Sequence, residues 1–174
     1  MSAVGDLVAR AQQHTGVALD VTEFRGETTV TVPAERVLDV LGAFVAAPGG
    51  PLVLTDLTAL DRHPHEPRFE VVYLLTGYAA SVRLRVRARL PGDSPVIASA
   101  TGLWPAANWL EREVFDFFGI RFDGHPNLTR ILMPDDWEGY PLRRDVPLTE
   151  EPVEFVEHVP KVPSTIIPKS PPRS

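Results

Sequence analysis

Residues 69–90 read FEVVYLLTGYAASVRLRVRARL, and this stretch decides the fold. Its second half alternates strictly. Val82, Leu84, Val86, Ala88 and Leu90 fall on one face, and Ser81, Arg83, Arg85, Arg87 and Arg89 on the other. Successive side chains of an extended chain point to opposite sides, so a period of two predicts a strand with one face in a core. The first half, residues 69–75, is nearly continuous apolar, which suits a central strand buried on both faces. Gly77 marks a turn, and the two runs together read as a hairpin with one shared core face.

Upstream, residues 52–57 (LVLTDL) form a further strand, followed by a loop over 61–67 (DRHPHEP). Residues 27–32 (ETTVTV) are rich in β-branched side chains and also read as a strand. Pro33 then opens a helix, where its missing N–H costs nothing. That helix lines up Val37, Val40, Leu41, Phe44 and Val45, and Pro48, Gly49 and Gly50 end it. Residues 2–15 form a short amphipathic helix with Val4, Leu7, Val8 and Ala11 on one face and Gly16 at its stop. The order is helix, strand, helix, three strands, then helical segments. It predicts an α+β domain, a mixed β-sheet with helices packed on one face.

Downstream the pattern changes. Asn108 is placed to cap a helix with Glu111 at its third position, a capping-box variant. Val114, Phe117 and Phe118 give that helix an apolar face, Gly119 a left-handed stop, and Ile120 the accompanying hydrophobic contact. Beyond Gly119 the chain is irregular and dense in proline, glycine and charge. Seven of the last thirty residues, 145–174, are proline. The expected organisation is one domain over 1–147 and an extended Pro-rich tail over 148–174.

Composition excludes several classes of function. The 174 residues contain no cysteine, so disulfides, thiolate zinc sites and cysteine-ligated iron–sulfur clusters cannot belong to this chain. A net charge of −6 disfavours nucleic acid as the main partner. No apolar run approaches the ~18 residues of a membrane span, and no signal-peptide pattern opens the chain. Neither GxGxxG nor GxxxxGK[ST] occurs, so no NAD, flavin or ATP site is indicated.

Four groups of residues could carry chemistry. Glu111, Glu113 and Asp116 share a helix, with Glu113 and Asp116 three apart, as a hydrolase's paired carboxylates would need. Arg112, four residues before Asp116, can instead pair with it and make a charge-paired helix surface. His63 and His65 flank Pro64, and His125 precedes Pro126; without a strand or helix to fix them, they read as solvated side chains before metal ligands. The arginine stripe at 83, 85, 87 and 89 is either a solvated face or a dock for an acidic partner or RNA. The segment 108–147 is aromatic, charged and aperiodic, as loops that cover a core or meet a partner are.

That last segment carries a resemblance. Trp104-Pro105, Asn108-Trp109-Leu110, Glu111-Arg112-Glu113, Asp116, Gly119-Ile120, Gly124-His125-Pro126, Arg130-Ile131-Leu132, Pro134, Gly139, Pro141-Leu142-Arg143 and Asp145 resemble the 30 kDa subunit family of respiratory complex I, the NADH-quinone oxidoreductase. The match covers 99–147; Thr129 stands where the family usually has a basic residue, and Tyr140 where it has histidine. The resemblance implies a structural subunit with no cofactor of its own. FMN, iron–sulfur clusters and quinone would sit in partner subunits. It implies docking to the hydrogenase-like large subunit at the quinone pocket and to iron–sulfur subunits, on the cytoplasmic side of the membrane and held there by those partners. Candidate interface residues are Glu111, Arg112, Glu113, Asp116, His125, Arg130, Asp135, Asp136, Arg143, Arg144 and Asp145, with Arg143 and Arg144 suited to bidentate carboxylate contacts. The residues leave three other readings open. They are the same module in a membrane-bound hydrogenase or other donor:quinone oxidoreductase, a stand-alone hydrolase on Glu113 and Asp116, and an RNA-binding module on the arginine strand.

Overall fold

The structure is a computed structural model and describes residues 3–47, 50–78 and 82–146. Ser2, Pro48, Gly49, Ser81 and residues 147–174, which carry the expected tail, lie outside the described residues. Helix α1 (Ala3–Thr15) leads into a hairpin of β1 (Asp20–Phe24) and β2 (Glu27–Val32). After a 3-10 turn at Ala34–Arg36 come α2 (Val37–Val45) and the strands β3 (Val53–Asp61), β4 (Phe69–Gly77) and β5 (Val82–Leu90). Then follow β6 (Val96–Ala98), α3 (Ala107–Phe118) and β7 (Arg121–Asp123), with irregular backbone from there to Val146.

Five strands form one mixed sheet in the order β1-β2-β5-β4-β3. Within it β2 and β5 run parallel, and the other neighbours antiparallel. The β4–β5 pair is the hairpin the alternation predicts, in unbroken register from Phe69↔Leu90 to Gly77↔Val82. That register puts Phe69, Val71, Tyr73 and Leu75 beside Leu90, Ala88, Val86 and Leu84 on one face, all buried. Val37, Val40, Leu41 and Phe44 of α2, Val8 and Ala11 of α1, and Val114 and Phe118 of α3 complete the same core. The fold is therefore the expected α+β domain, helices on one face of the sheet.

Two local expectations need correction, and a third holds in part. Strand β1 is additional to the predicted strands: all five of its residues are exposed, so it carries no burial period to read. It is held by pairing with β2 across a two-residue turn, where Arg25 and Gly26 both take positive φ (52° and 81°), the geometry of a tight hairpin turn. The expected burial of β4 on both faces holds for residues 69–73, although no second layer of described residues covers its outer face. There Glu70 and Val72 are buried beneath the stems of the neighbouring arginines, and Leu74 and Thr76 stay half-exposed. Helix α3 begins at Ala107 and has no side-chain cap. The turn before it already satisfies its first amides through backbone bonds, Ala107 N–H to Trp104 O and Asn108 N–H to Pro105 O. Asn108 has no capping task, and Glu111 is free to point inward. The C-terminal expectation holds: Gly119 takes φ 71° and donates to Phe115 O, with Ile120 fully buried.

Tyr73 sits in the centre of the core with its hydroxyl buried and, among the described residues, unpaired. Burial and the Glu111 carboxylate both push its phenol upward from the ordinary value. A buried hydroxyl without a partner costs on the order of 1–2 kcal/mol. Tyr73→Phe is therefore expected to raise the urea midpoint by about that much free energy. An unchanged or lower midpoint would show that the hydroxyl has a partner.

Candidate partner-docking site

Helix α3 carries two fully buried carboxylates on different sides, and each fastens something. Glu111 faces the sheet. One of its oxygens accepts the Ala100 N–H at 2.6 Å and the other the Ser99 hydroxyl at 2.6 Å. These bonds join α3 to the chain leaving β6. Burial pushes the Glu111 carboxyl up to about 7, against the pull of the two donors.

Asp116 faces the irregular segment. Its Oδ2 accepts three successive backbone N–H groups, from Ile131 (3.0 Å), Leu132 (2.8 Å) and Met133 (2.9 Å). Its Oδ1 accepts Arg130 Nη1–H at 2.8 Å. Consecutive amides turned toward one anion make a nest. Burial works against the charge, but the three amides and Arg130 outweigh it and hold the carboxyl below its usual range.

The other resemblance residues continue the fastening. Arg130 also donates to the carbonyls of Trp137 (3.2 Å) and Gly139 (3.0 Å). Arg112 lies over the Trp109 ring and donates to the Thr129 and Arg130 carbonyls, each at 3.1 Å. It does not pair with Asp116, because Arg130 and the amide nest already occupy that carboxylate. His125 accepts the Asn127 N–H on Nδ1, so Nε2 is the protonated nitrogen and donates to Asn108 O at 3.1 Å. Arg143 donates to Phe118 O at 2.7 Å and lies against the rings of Tyr140 and Phe69. Tyr140 and Arg143 both close over Gly119, where a Cβ would run into them.

A second fastening has no counterpart in the sequence reading. Asp61, at the end of β3, pairs with Arg68 at 2.7 Å and accepts the Arg144 N–H at 2.8 Å. Arg68 makes a bidentate pair with Asp145 on its far side, at 2.7 and 2.9 Å. Burial opposes the Asp61 charge, but Arg68 and the amide donors hold its carboxyl well below the usual range. Arg68 and Asp145 are 77 residues apart in the chain, so no local pattern could have revealed the link.

These contacts sort the eleven candidates. Glu111, Arg112, Asp116, His125, Arg130, Arg143 and Asp145 are ties within the chain. Arg144 ties through its backbone N–H and leaves its residue exposed. Glu113, Asp135 and Asp136 are exposed, and their side chains make no hydrogen bond or ion pair among the described residues. Large apolar side chains are also displayed: Trp109 on α3 is 61% exposed, and Leu132 and Leu142 on the mounted segment are 59% and 51% exposed. The fastened backbone thus presents a fixed outer surface of acidic and apolar groups.

The same geometry bears on the other chemical readings. Asp116 and Glu113 do not share a cleft, because one is sealed inside with its oxygens taken by donors and the other faces solvent. His63 and His65 are exposed, and no group of three His, Cys, Asp or Glu side chains converges among the described residues. On the arginine strand, Arg85 pairs with Glu27, Arg87 bonds Thr31 and faces Glu70, and Arg89 shares Glu70. The stripe is largely neutralised by its own sheet. No helix among the described residues is long and apolar enough to cross a membrane.

Comparison with known proteins agrees with this architecture. A trypsin-resistant fragment of Nqo5 superimposes with a TM-score of 0.56 and 31% identity, over 72% of this chain and 98% of the fragment. A chain of an archaeal respiratory membrane complex, the membrane-bound sulfane sulfur reductase, superimposes with a TM-score of 0.73 and 26% identity, over 84% of this chain and 86% of that one. The C subunit of the NADH-quinone oxidoreductase of Citrifermentans bemidjiense is 48% identical over 142 residues, 82% of this chain and 88% of its own length. The family model for the 30 Kd subunit of respiratory-chain NADH dehydrogenase matches residues 30–152, which include the whole of α3 and the segment fastened to it, so the chain belongs to that family.

Proposed function

We propose that this chain is a structural and assembly subunit of the peripheral arm of a proton-translocating NADH:quinone oxidoreductase. It carries no cofactor or catalytic centre of its own and docks the quinone-site large subunit and neighbouring iron–sulfur subunits. It is held on the cytoplasmic side of the membrane through them. One observation carries the reading: an aperiodic segment is fixed in place by the buried Asp116 nest and by the Asp61–Arg68–Asp145 ion pairs, while its Leu132 and Leu142, and Trp109 on α3, are turned outward. Ordering irregular backbone costs on the order of 1–2 kcal/mol per residue. Spending that on a surface that exposes large apolar groups fits a surface completed by a partner.

The test is native purification through a tag on this chain, with mass spectrometry of what accompanies it. The expected companions are a hydrogenase-like large subunit and iron–sulfur subunits. Replacing Trp109 and Leu132 together by serine is expected to lower their recovery roughly tenfold, as loss of central interface anchors does. A tagged chain that elutes alone, or full recovery with the double variant, would remove the reading. The archaeal neighbour, a sulfane sulfur reductase, favours a second possibility, the same module in a related respiratory membrane complex with other redox partners. An FMN-binding, NADH-oxidising subunit among the companions decides for NADH.

A further inference from the structure

Among the described residues, no helix covers the face of the sheet opposite α1, α2 and α3, and the four arginines of β5 lie there. Their internal partners are unevenly supplied. Glu70 serves both Arg87 and Arg89, and Glu27 pairs with Arg85 at 2.7 Å. Arg83, one step further toward the β4–β5 connection, is exposed and makes no ion pair among the described residues. Register places it opposite Thr76 of β4.

A half-open cavity of about 450 Å³ lies at this end of the face. Its floor includes Leu74, and Thr55, Thr76, Tyr78, Arg83 and Arg85 stand around it. Tyr78 is 74% exposed. The site therefore combines an apolar floor, hydroxyl groups and two guanidiniums that face a single carboxylate, Glu27. Among the described residues the balance is short of one negative charge.

We infer that this cavity is a second docking point, where an acidic segment of a partner subunit inserts a carboxylate onto Arg83. The inference rests on the proposed role in the complex but names a different surface, on the opposite side of the sheet from the core that α3 packs against. A carboxylate fits better than a nucleic-acid backbone. One charge completes the site, whereas a row of phosphates would meet Glu27, Glu70 and the net charge of −6. The volume suits one or two side chains of an extended segment and is too small for a helix. Arginine's planar fork matches a carboxylate through two parallel N–H···O bonds.

The experiment uses the native complex purified through this chain. First, Arg83→Glu is expected to lower retention of a partner at moderate salt roughly tenfold, with Arg83→Lys intermediate, as a charge-assisted interface contact requires. Second, a photo-cross-linking residue at Tyr78 is expected to capture a peptide rich in Asp or Glu from a co-purifying subunit. The same cross-linker at Trp109 serves as the control for the α3 surface. If the Trp109 probe captures a partner while the Tyr78 probe captures none, or captures lipid, nucleic acid or a peptide without carboxylates, the inference fails and the proposed role in the complex stands. Retention by Arg83→Glu equal to the parent's also overturns it. If neither probe captures anything and no complex is recovered, both fail together.

Discussion

Asp116→Ala is expected to destabilise the chain by on the order of 3–5 kcal/mol, the usual cost of removing one member of a buried, hydrogen-bonded charge pair. The alanine would leave three backbone N–H groups and the Arg130 guanidinium facing a space without an acceptor. Each unsatisfied donor carries its own desolvation cost. The loss should be local before it is global, because the core of sheet and helices does not depend on Asp116. Trypsin should then cut after Arg130 in the variant at concentrations that leave the parent intact. Asp116→Asn keeps one carbonyl oxygen for the amides but loses the charge, so it should fall between. A variant with the parent's denaturation midpoint and an uncut Arg130–Ile131 bond would show that the nest does not hold the segment.

The second large effect is a pH dependence set by Glu111. Its folded carboxyl is pushed up to about 7 from an ordinary 4.5 by burial. The folded state therefore binds a proton more tightly than the unfolded chain. Stability falls as pH rises between about 4.5 and about 7, by on the order of 3 kcal/mol in total. The carboxylates of Asp61, Asp116 and Asp145 act in the opposite sense, since their folded values are depressed. They contribute stability above the ordinary carboxylate range that is lost as pH falls through it. The two trends place the stability maximum on the acid side of neutrality. Glu111→Gln keeps an oxygen for the Ala100 N–H and a group for Ser99 but cannot ionise. Urea midpoints from pH 4.5 to 8 should converge with the parent's at the acid end and exceed them at pH 8. Parallel curves for the two proteins would refute the assignment.

How far the sequence speaks depends on whether the deciding contact is local. The alternation of residues 82–90 and the apolar run from Phe69 reveal the hairpin because a strand's period is written in neighbouring residues. Gly119 marks the end of α3 for the same reason. Strand β1 is silent because none of its residues is buried. Asn108 and Glu111 have the spacing of a cap, but the turn at Trp104 and Pro105 has already satisfied the amides that a cap would serve. Helix spacing assigns Asp116 to Arg112, yet a guanidinium and three amides arriving from fourteen and more residues away take its oxygens. The resemblance points to the right segment. It does not say that most of its charged residues look inward, because that follows from where the chain returns.

Asp116 grips the main chain of residues 131–133 and ignores their side chains. A grip of that kind is indifferent to residue type. Ile131, Leu132 and Met133 can be exchanged for other residues with the clasp left whole, provided none is proline, which lacks the N–H it requires. What the protein shows to a neighbour there can thus be rewritten, in evolution or by design, independently of how it is built.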